Sequence, residues 1–303
     1  MKRFVFFLAG VAISVATLSS PNATASLVVP DLGEAANYAL FAIPKTSDAA
    51  SITISSASGV LGDLAIGNPG LYDKSGAGVI TGSVFLATGV TTSISGVPGA
   101  EGTLVPNSNL AQAISDALLA STGASLLPST QLLGDITDTT LVTGNGNVNV
   151  LSIGTINLGG VKTLTLSGNA AEFFILNISG DFDFSGSSAF VLAGGVDPSH
   201  VLLNFPTTGN GIGFSASSAV KGTFLAPYRD FTLHGANLEG AVIANDIRIT
   251  SGGQDAFVGF NDFAPPPPPQ EPVIPEPSSL MLLGMGLAAL VARRPRSSSI
   301  SPR

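Results

Sequence analysis

The chain has 303 residues, a formal net charge of −8 and no cysteine. Residues 26–274 contain six basic and 19 acidic residues, which gives this part a net charge of −13. A nucleic-acid partner is therefore disfavoured, because phosphate backbones are bound mainly through Lys and Arg. The lack of Cys excludes thiol catalysis and thiolate metal sites, and a body of about 240 residues can bury enough apolar surface to fold without disulfides.

The start of the chain has the three parts of a secretory signal peptide in the expected order. Basic residues occupy positions 2–3, an apolar run covers residues 4–15, and Ala23 and Ala25 form a small-x-small cleavage site. This order favours an export signal over a short buried helix. We therefore predict that residues 1–25 are removed on export.

The first part of the remaining chain consists of short β-rich runs separated by glycines. Residues 32–43 fit either a strand or a helix by periodicity, and we predict an opening strand that ends at Pro44. Between residues 52 and 96 glycine recurs at short intervals, and glycine supplies the backbone angles that tight corners require. Short strands with glycine corners favour the coils of a solenoid.

A single segment breaks this pattern and has the periodicity of an amphipathic helix. Between residues 109 and 121 the apolar positions at helical spacing are Leu110, Ile114, Ala117 and Leu118. Asn109 is a candidate N-cap, Gln112 lies at the third position of a capping box, and Gly123 is a candidate end. We predict that this helix covers the stacked strands; a partner-binding or membrane-surface helix would carry basic residues on its polar face, and this segment has none.

Strands return after the helix and end in a repeat. The strand around Leu164 and the strand around Phe182 alternate apolar with polar residues, as half-buried strands do. Gly222 and Gly240 then open two copies of one pattern, each with a Gly, an apolar run, a polar corner and an alternating strand. A unit this short cannot bury its own apolar face and needs stacked neighbours. The sequence therefore predicts an all-β fold, a parallel β-helix (β-solenoid) with one α-helix packed alongside.

The end of the chain changes to a linker and a sorting signal. The linker contains five consecutive prolines and is predicted to be an extended polyproline II spacer. Beyond it lie a Pro-Glu-Pro triplet, 13 apolar residues and an Arg-rich end. Thirteen residues are fewer than the ~20 of a permanent span, and the arginines would stay on the cytoplasmic side. The residues that define the motif are Pro275, Glu276, Pro277, Arg293 and Arg294.

This tail resembles the PEP-CTERM sorting signal of Gram-negative, biofilm-forming bacteria. The resemblance implies recognition by an exosortase, transient inner-membrane anchoring by the apolar helix, removal of the tail, and delivery to the cell surface or the exopolysaccharide matrix. A generic membrane anchor is the alternative. The predicted organisation is a signal peptide at 1–25, a β-solenoid domain at 26–263, a Pro-rich linker at 264–274 and a sorting signal at 275–303.

The body resembles bacterial ice-binding-like β-solenoids and the related choice-of-anchor surface domains. The likeness spans residues 32–253, and its best motifs are Asn204-Phe205 and the Gly-Thr-x-Leu-Ala-Pro that begins at Gly222. The resemblance implies a right-handed parallel β-helix of irregular coils with a long helix beside it. For the choice-of-anchor group it implies no activity.

An ice-binding face would need a flat, regular array of Thr, Ser or small apolar groups. Thr163 and Thr165 form a Thr-x-Thr on one predicted strand. The other threonines considered are scattered, at Thr53, Thr81, Thr91, Thr92, Thr232 and Thr250. β-Branched side chains are common on the outer side of any strand, so these threonines are better explained by strand propensity than by an ice-binding plane. No ice-contact residue is assigned.

Two patterns of possible catalytic residues are also better explained by ordinary surface roles. Ser218 and Lys221 match the Ser-x-x-Lys of penicillin-recognising enzymes, but they lie in a β-rich run without the companion motifs. Asp181 and Asp183 are two carboxylates on one strand, as a Ca²⁺ site or a polysaccharide lyase uses, but a solvated acidic face is favoured.

The two histidines have carboxylates nearby in the sequence. His200 follows Asp197 in a turn, and His234 precedes Glu239. Neither lies in a nucleophile elbow, so surface corner positions are favoured over a metal or triad role.

We therefore predict an exported, non-enzymatic surface or matrix protein without a cofactor. Its outward Ser, Thr, Asn and Asp would contact extracellular polysaccharide or neighbouring cells. Ice binding by one flat face is the alternative hypothesis, and a Ca²⁺-dependent polysaccharide lyase is the third.

Overall fold

The computed structural model describes residues 28–46, 48–215, 219–251, 256–261 and 263. Within these residues the chain forms 24 strands, one α-helix and two short 3-10 helices. Every pairing between the named strands is parallel. The all-β solenoid predicted from the sequence is thereby confirmed.

The elements are short and follow one another with few residues between them. The strands before the helix are β1 (Leu40–Ala42), β2 (Ala50–Ile54), β3 (Gly59–Leu61), β4 (Leu64–Ile66), β5 (Gly70–Lys74), β6 (Ser83–Ala87), β7 (Thr91–Ile94) and β8 (Thr103–Ser108). The helix is α1 (Ala111–Leu126), and the 3-10 helices are Gly33–Asn37 and Pro198–His200. The strands after α1 are β9 (Gln131–Ile136), β10 (Thr140–Thr143), β11 (Val148–Leu158), β12 (Thr163–Ser167), β13 (Phe173–Ile178), β14 (Phe182–Phe184), β15 (Ala189–Ala193), β16 (Val201–Asn204), β17 (Ile212–Ser215), β18 (Ala219–Lys221), β19 (Thr223–Ala226), β20 (Phe231–His234), β21 (Asn237–Glu239), β22 (Val242–Ala244), β23 (Asp246–Thr250) and β24 (Phe257–Gly259).

The strands stack into a column with three faces. The helix face is the series β9, β11, β13, β16, β19, β22, β1, β4, β6, β8, and α1 packs against it. The charged face is the series β11, β14, β17, β20, β23, β2, β5, β7, and the long strand β11 belongs to both. The divided face consists of two separate sheets, which we name by their outer residues: the threonine sheet (β10, β12, β15) and the aromatic sheet (β18, β21, β24, β3).

The order of the coils in the column differs from their order in the chain. β1 pairs with β22 on one side and β4 on the other, so Leu40 lies between Val242 and Leu64. The coils before α1 therefore continue the stack formed by the coils after it. The strands β8 and β9 lie at opposite ends of the helix face, and α1 lies between them in the chain.

The two sequence copies at Gly222 and Gly240 are neighbouring coils in register. Phe224 pairs with Val242 in the first strands, and Phe231 pairs with Ile247 in the second. Gly240 has a φ of +155°, and a Cβ there would collide with the backbone carbonyl of Gly222. Glycine opens each copy because the two corners approach too closely for any side chain.

The interior of the column is aromatic in one part and aliphatic in another. Seven buried phenylalanines have neighbouring ring centroids 5.1 to 6.5 Å apart: Phe182, Phe184, Phe190, Phe205, Phe214, Phe224 and Phe231. The adjoining coils bury aliphatic side chains instead: Ile52, Ile54, Leu64, Ile66, Val84, Ile247 and Ile249. Each such side chain contributes about 1.5–3 kcal/mol on burial, so the stacked rungs can offset the loss of chain entropy.

The helix covers the outer side of the helix face, as the sequence predicts. Its buried residues are small, which lets it approach the strands closely: Ala113, Ala117, Ala120, Ser121 and Ala124. Ser121 donates its hydroxyl to Asn204 Oδ1 at 2.7 Å, and Asn204 Nδ2 donates to Asn177 Oδ1 at 2.8 Å. Asn177 Nδ2 donates to the Ala124 carbonyl at 2.7 Å, so a buried polar chain fixes the helix in place.

The predicted helix ends are wrong. Gly123 lies inside α1, because the helix continues to Leu126, two residues before Pro128. Asn109 Oδ1 accepts a hydrogen bond from the Ala111 N–H at 3.2 Å, but Gln112 donates to Asp116 at 2.6 Å instead of closing a capping box.

The predicted opening strand over residues 32–43 is wrong in its first half. Gly33–Asn37 is a 3-10 helix, and only Leu40–Ala42 is a strand. The Glu34 N–H donates to Asp116 Oδ2 of α1 at 2.9 Å. The 3-10 helix therefore contacts α1, which an isolated sequence pattern does not show.

Candidate functional site

The middle of the helix face is closed to large ligands by its own cover, whereas Leu132 of the end strand β9 is 80% exposed. The outward side chains of the middle strands are buried beneath α1 and the segment before β1: Phe41, Ala65, Val150, Ile175, Leu202, Leu225 and Ile243. Candidate binding surfaces must therefore be sought on the other two faces.

The charged face presents hydrated side chains along its middle. The pairings align Asp183, Gly213, Thr232, Arg248, Thr53, Asp73 and Ser93 in one row across seven coils. Arg248 forms an ion pair with Asp246 at 2.7 Å, and this hydrogen bond raises the pKa of the guanidinium. A surface interrupted by charges holds its water tightly and does not form a uniform plane.

The strands of the threonine sheet present a small grid without charges, and the ion pair of Lys162 with Asp138 lies at the edge of the sheet with 2.9 Å between Nζ and Oδ1. Leu164 and Leu166 point into the core, so Thr163, Thr165 and Ser167 point outward. On the β15 side these three residues pair with Ala189, Val191 and Ala193 in that order. On the β10 side Leu141 pairs with Thr165, and Thr143 pairs with Ser167. Parallel strands about 4.8 Å apart place these groups in regular rows. The grid consists of hydroxyl, methyl and short aliphatic groups.

The aromatic sheet presents rings and aliphatic groups beside one ion pair. Phe257 and Leu61 lie on neighbouring strands and are 47% and 54% exposed. Val79 and Phe260 adjoin them and are 52% and 37% exposed. At the other side of the sheet Lys221 Nζ lies 2.8 Å from Glu239 Oε2. We name Leu61, Val79, Phe257 and Phe260 the aromatic patch.

The structure places the two histidines in different surroundings. The His200 ring stacks on Phe173 with centroids 4.0 Å apart, and its buried Nδ1 has no hydrogen-bond partner among the described residues. The Asp197 carboxylate instead accepts the N–H and hydroxyl of Ser199, which lower its pKa. His234 lies on the charged face with Nδ1 2.8 Å from the Thr250 hydroxyl.

The carboxylate pair and the Ser-x-x-Lys pattern do not form a site. Asp183 lies on the charged face, whereas Asp181 lies at the corner and accepts the Asn210 amide at 3.0 Å. Lys221 belongs to strand β18, and Ser218 lies outside the described residues. In the part of the chain that the structure describes, no group of three or more His, Asp or Glu is arranged to hold a metal ion.

The scattered threonines remain apart in the structure. Thr53 and Thr232 lie in the row of the charged face, and Thr250 lies beside His234. The Thr81 hydroxyl accepts the Gly62 N–H, and Thr91 and Thr92 belong to the end strand β7. Only Thr163 and Thr165 of the predicted set share a strand and a face.

Two buried charged residues that the sequence did not indicate, Arg229 and Glu172, form hydrogen bonds with the turns between strands. Arg229 is 1% exposed and donates to the carbonyl oxygens of Ser179, Gly180 and Thr207 at 2.6 to 3.0 Å. Burial lowers the pKa of its guanidinium. A lone basic residue in a sparsely charged, apolar coil is the signal that could have identified it.

Glu172 has the same role beside the threonine sheet. It is 4% exposed, and its carboxylate accepts the Asn169 N–H at 3.1 Å and the Asn149 amide at 3.2 Å. Burial acts to raise the pKa of this carboxyl, but the N–H groups of Asn169 and Gly146 and the Asn149 amide outweigh it, so the pKa is lowered. Glu172 thus joins the turn before β11 to the turn before β13.

The two terminal signals predicted from the sequence lie outside the described residues. These are the cleavage residues Ala23 and Ala25 and the motif residues Pro275, Glu276, Pro277, Arg293 and Arg294. Among the residues that the structure does describe, no helix is long and apolar enough to cross a membrane.

Comparison with known sequences gives two matches along the chain. Residues 36–256 match the ice-binding-like adhesive domain, and residues 273–297 match the PEP-CTERM protein-sorting motif. No curated protein matches the chain significantly.

Several solved structures share the fold. An ice-binding protein from an Antarctic biological consortium has a TM-score of 0.53 and 19% identity, over 80% of this chain and 95% of that one. An ice-binding protein from an Arctic yeast has a TM-score of 0.51 and 21% identity, over 81% and 99%. An ice-binding protein from an Antarctic Flavobacteriaceae bacterium has a TM-score of 0.50 and 20% identity, over 82% and 51%. At these identities the likeness shows the fold alone.

Proposed function

The chain belongs to the ice-binding-like adhesive domain family through residues 36–256, and from this we propose that it is a non-enzymatic structural or adhesive protein of the cell surface or exopolysaccharide matrix. Its sorting motif and adhesive domain make it an exported, surface-associated protein. The observation that carries the proposal is the joining of an adhesive-type body to a PEP-CTERM motif at residues 273–297.

We propose that an exosortase processes the tail. The apolar residues before Arg293 and Arg294 would hold the chain transiently in the inner membrane, with the arginines on the cytoplasmic side. Pro275, Glu276 and Pro277 would be the recognition triplet, and the Pro-rich linker would hold the body away from the membrane while the tail is cut.

A scaffold role is supported by the way the described side chains are used. His200 stacks on a phenylalanine, His234 contacts a threonine hydroxyl, and Arg229 donates to backbone carbonyls. Each of these three side chains either contacts a neighbouring coil or lies on the surface. The three do not face one another across a shared cleft. The outer faces are then the parts that contact polymer.

Fractionation of the host with a matched pair of tail variants tests this proposal. The wild-type protein should be found at the surface or in the matrix, shortened at its C terminus. Glu276→Ala should leave the uncut chain in the inner-membrane fraction, whereas Glu271→Ala, in the linker outside the matched motif, should behave as wild type. Full-length protein in the soluble cytoplasmic fraction would contradict the proposal.

Ice binding is a second candidate, and the uncharged grid of the threonine sheet favours it. Residues 26–263 should then show thermal hysteresis or inhibit ice recrystallisation, and Thr165→Asp should abolish the effect because it places a hydrated charge within the grid. Thr232→Asp, on the charged face, is the matched control. No activity at high micromolar concentration would rule this candidate out.

A further inference from the structure

We infer that the aromatic patch is a binding platform for an uncharged polysaccharide chain; this rests on the proposed function and specifies its ligand. Phe257 begins strand β24, and Phe260 follows the end of that strand. Residues three apart in an extended strand point to opposite faces, so Phe260 reaches the outer surface because it lies past the strand end, at the corner beside Gly62. Leu61 pairs with Gly259 and therefore lies on the neighbouring strand between the two rings.

The two rings lie against glycines of the neighbouring coil. A Cβ built on Gly59 would be 3.3 Å from Phe257 Cε1, and a Cβ built on Gly62 would be 3.3 Å from Phe260 Cγ. Because neither glycine has a side chain, the rings settle onto the backbone of that coil. The two rings remain 47% and 37% exposed, and the axial C–H groups of a sugar ring can pack on exposed aromatic surface.

The size of the patch favours a narrow ligand over a folded protein. Stable protein interfaces bury about 800 Å² on each partner, and four partly exposed side chains cannot supply that area. A polysaccharide chain is one sugar ring wide and needs only a row of contacts. Two rings with an aliphatic group between them provide such a row.

The surrounding charges favour a neutral chain. Within the four described strands of this sheet the ionisable side chains are Lys221 and Glu239, which neutralise each other at 2.8 Å. The body as a whole carries a net charge of −13 over residues 26–274, which repels polyanions such as uronic-acid polymers. Asn237 lies beside Phe257, where its exposed amide can hydrogen-bond to sugar hydroxyls.

Affinity electrophoresis of the full-length chain tests the inference, with the protein kept in a detergent that has no sugar head group. The probes are hydroxyethylcellulose, galactomannan and dextran, which are uncharged, and alginate, which is anionic. We expect at least one uncharged polymer to retard the wild-type protein and alginate to leave its mobility unchanged.

Two double variants show whether binding requires aromatic rings or only an apolar surface. Phe257→Leu with Phe260→Leu keeps an apolar patch without rings and should weaken retardation at least tenfold. Phe257→Tyr with Phe260→Tyr keeps the rings and should retain it. Leu119→Ala with Leu126→Ala is the matched control, because both leucines are exposed on α1 outside the candidate surfaces, and it should bind as wild type.

Two results would overturn the inference. One is equal retardation of the wild-type and leucine variants, which would show that the polymer is bound without the aromatic rings. The other is no retardation by any of the uncharged polymers. A surface location together with either result would leave the proposed function standing, whereas a cytoplasmic location would refute the proposed function itself.

Discussion

The two sheets of the divided face have the same inner side and different outer sides. Inside, both bury apolar side chains that join the core of the column, such as Leu164 and Phe190 in the threonine sheet and Val258 in the aromatic sheet. Outside, one carries hydroxyl and methyl groups in rows, and the other carries two phenylalanine rings beside an ion pair. Packing in the column therefore constrains the inward residues, whereas the outward residues can differ from sheet to sheet without changing the core.

The largest effect is expected from damage to the column on which both sheets depend. Phe224 is fully buried and its ring lies 5.2 Å from that of Phe231 and 5.4 Å from that of Phe214. Phe224→Ala should lower the free energy of unfolding by about 3–5 kcal/mol, because it leaves a cavity among the rings. Phe224→Leu should cost less, and urea unfolding should show one transition that shifts for the whole body. Two transitions, of which only one shifts, would contradict a shared column.

A smaller effect is expected from loosening the corner beside the threonine sheet. Glu172→Gln should lower the free energy of unfolding by about 1–3 kcal/mol at neutral pH, because hydrogen bonds to a buried charge are lost. The folded pKa of this carboxyl is lowered, so its stabilisation is present above the unfolded pKa and is lost as the pH falls through the folded pKa.

Urea unfolding between neutral and acidic pH, with wild type and variant side by side, checks that sign. The stability difference between them should be largest at neutral pH and should shrink as the solution becomes acidic. Glycan binding at the aromatic sheet should be unchanged at neutral pH. A difference that grows on acidification would contradict the assigned role of Glu172.

The smallest effect is expected from the ion pair of the aromatic sheet. Lys221 and Glu239 are both substantially exposed, so Lys221→Ala should cost only about 0.2–1 kcal/mol of unfolding free energy and less in high salt. Retardation by uncharged polymers should persist in this variant, because the rings remain. A loss of binding without a loss of stability would show that the charge, and not the rings, contacts the ligand.

Local repetition made much of the architecture predictable from the sequence. The copies at Gly222 and Gly240 pair in register, and the alternation around Leu164 and Phe182 marks buried positions correctly. Periodicity also located the helix and its role as a cover. These features depend on neighbouring residues, which a sequence shows directly.

The order of the coils was not predictable in this way. β1 lies between β22 and β4, and nothing in the local pattern of Leu40–Ala42 indicates a partner about 200 residues away. The predicted C-terminal end of α1 is wrong because a packed helix tolerates Gly123 in its interior. The prediction of a strand at Gly33–Asn37 is wrong because this segment bonds to Asp116 of α1, a contact that its own sequence does not indicate.

The candidate binding surface was missed for a related reason. Phe257 and Phe260 are ordinary apolar residues in the sequence, and only the pairing of β24 with β3 shows that their rings lie on the outside over glycines. The separation of Phe257 and Phe260 by a short Val-Gly was the available signal. Burial of Arg229 and Glu172 likewise becomes visible only when distant turns meet.

The central claim is that the outer surface of the column holds the exported protein in an extracellular polymer. The most direct test measures, in the native host, how the protein divides between the matrix and the free culture medium. The wild-type protein should remain in the matrix, and the variant with Phe257→Leu and Phe260→Leu should be released into the medium at the same total amount. Equal retention of both proteins in the matrix would contradict the claim.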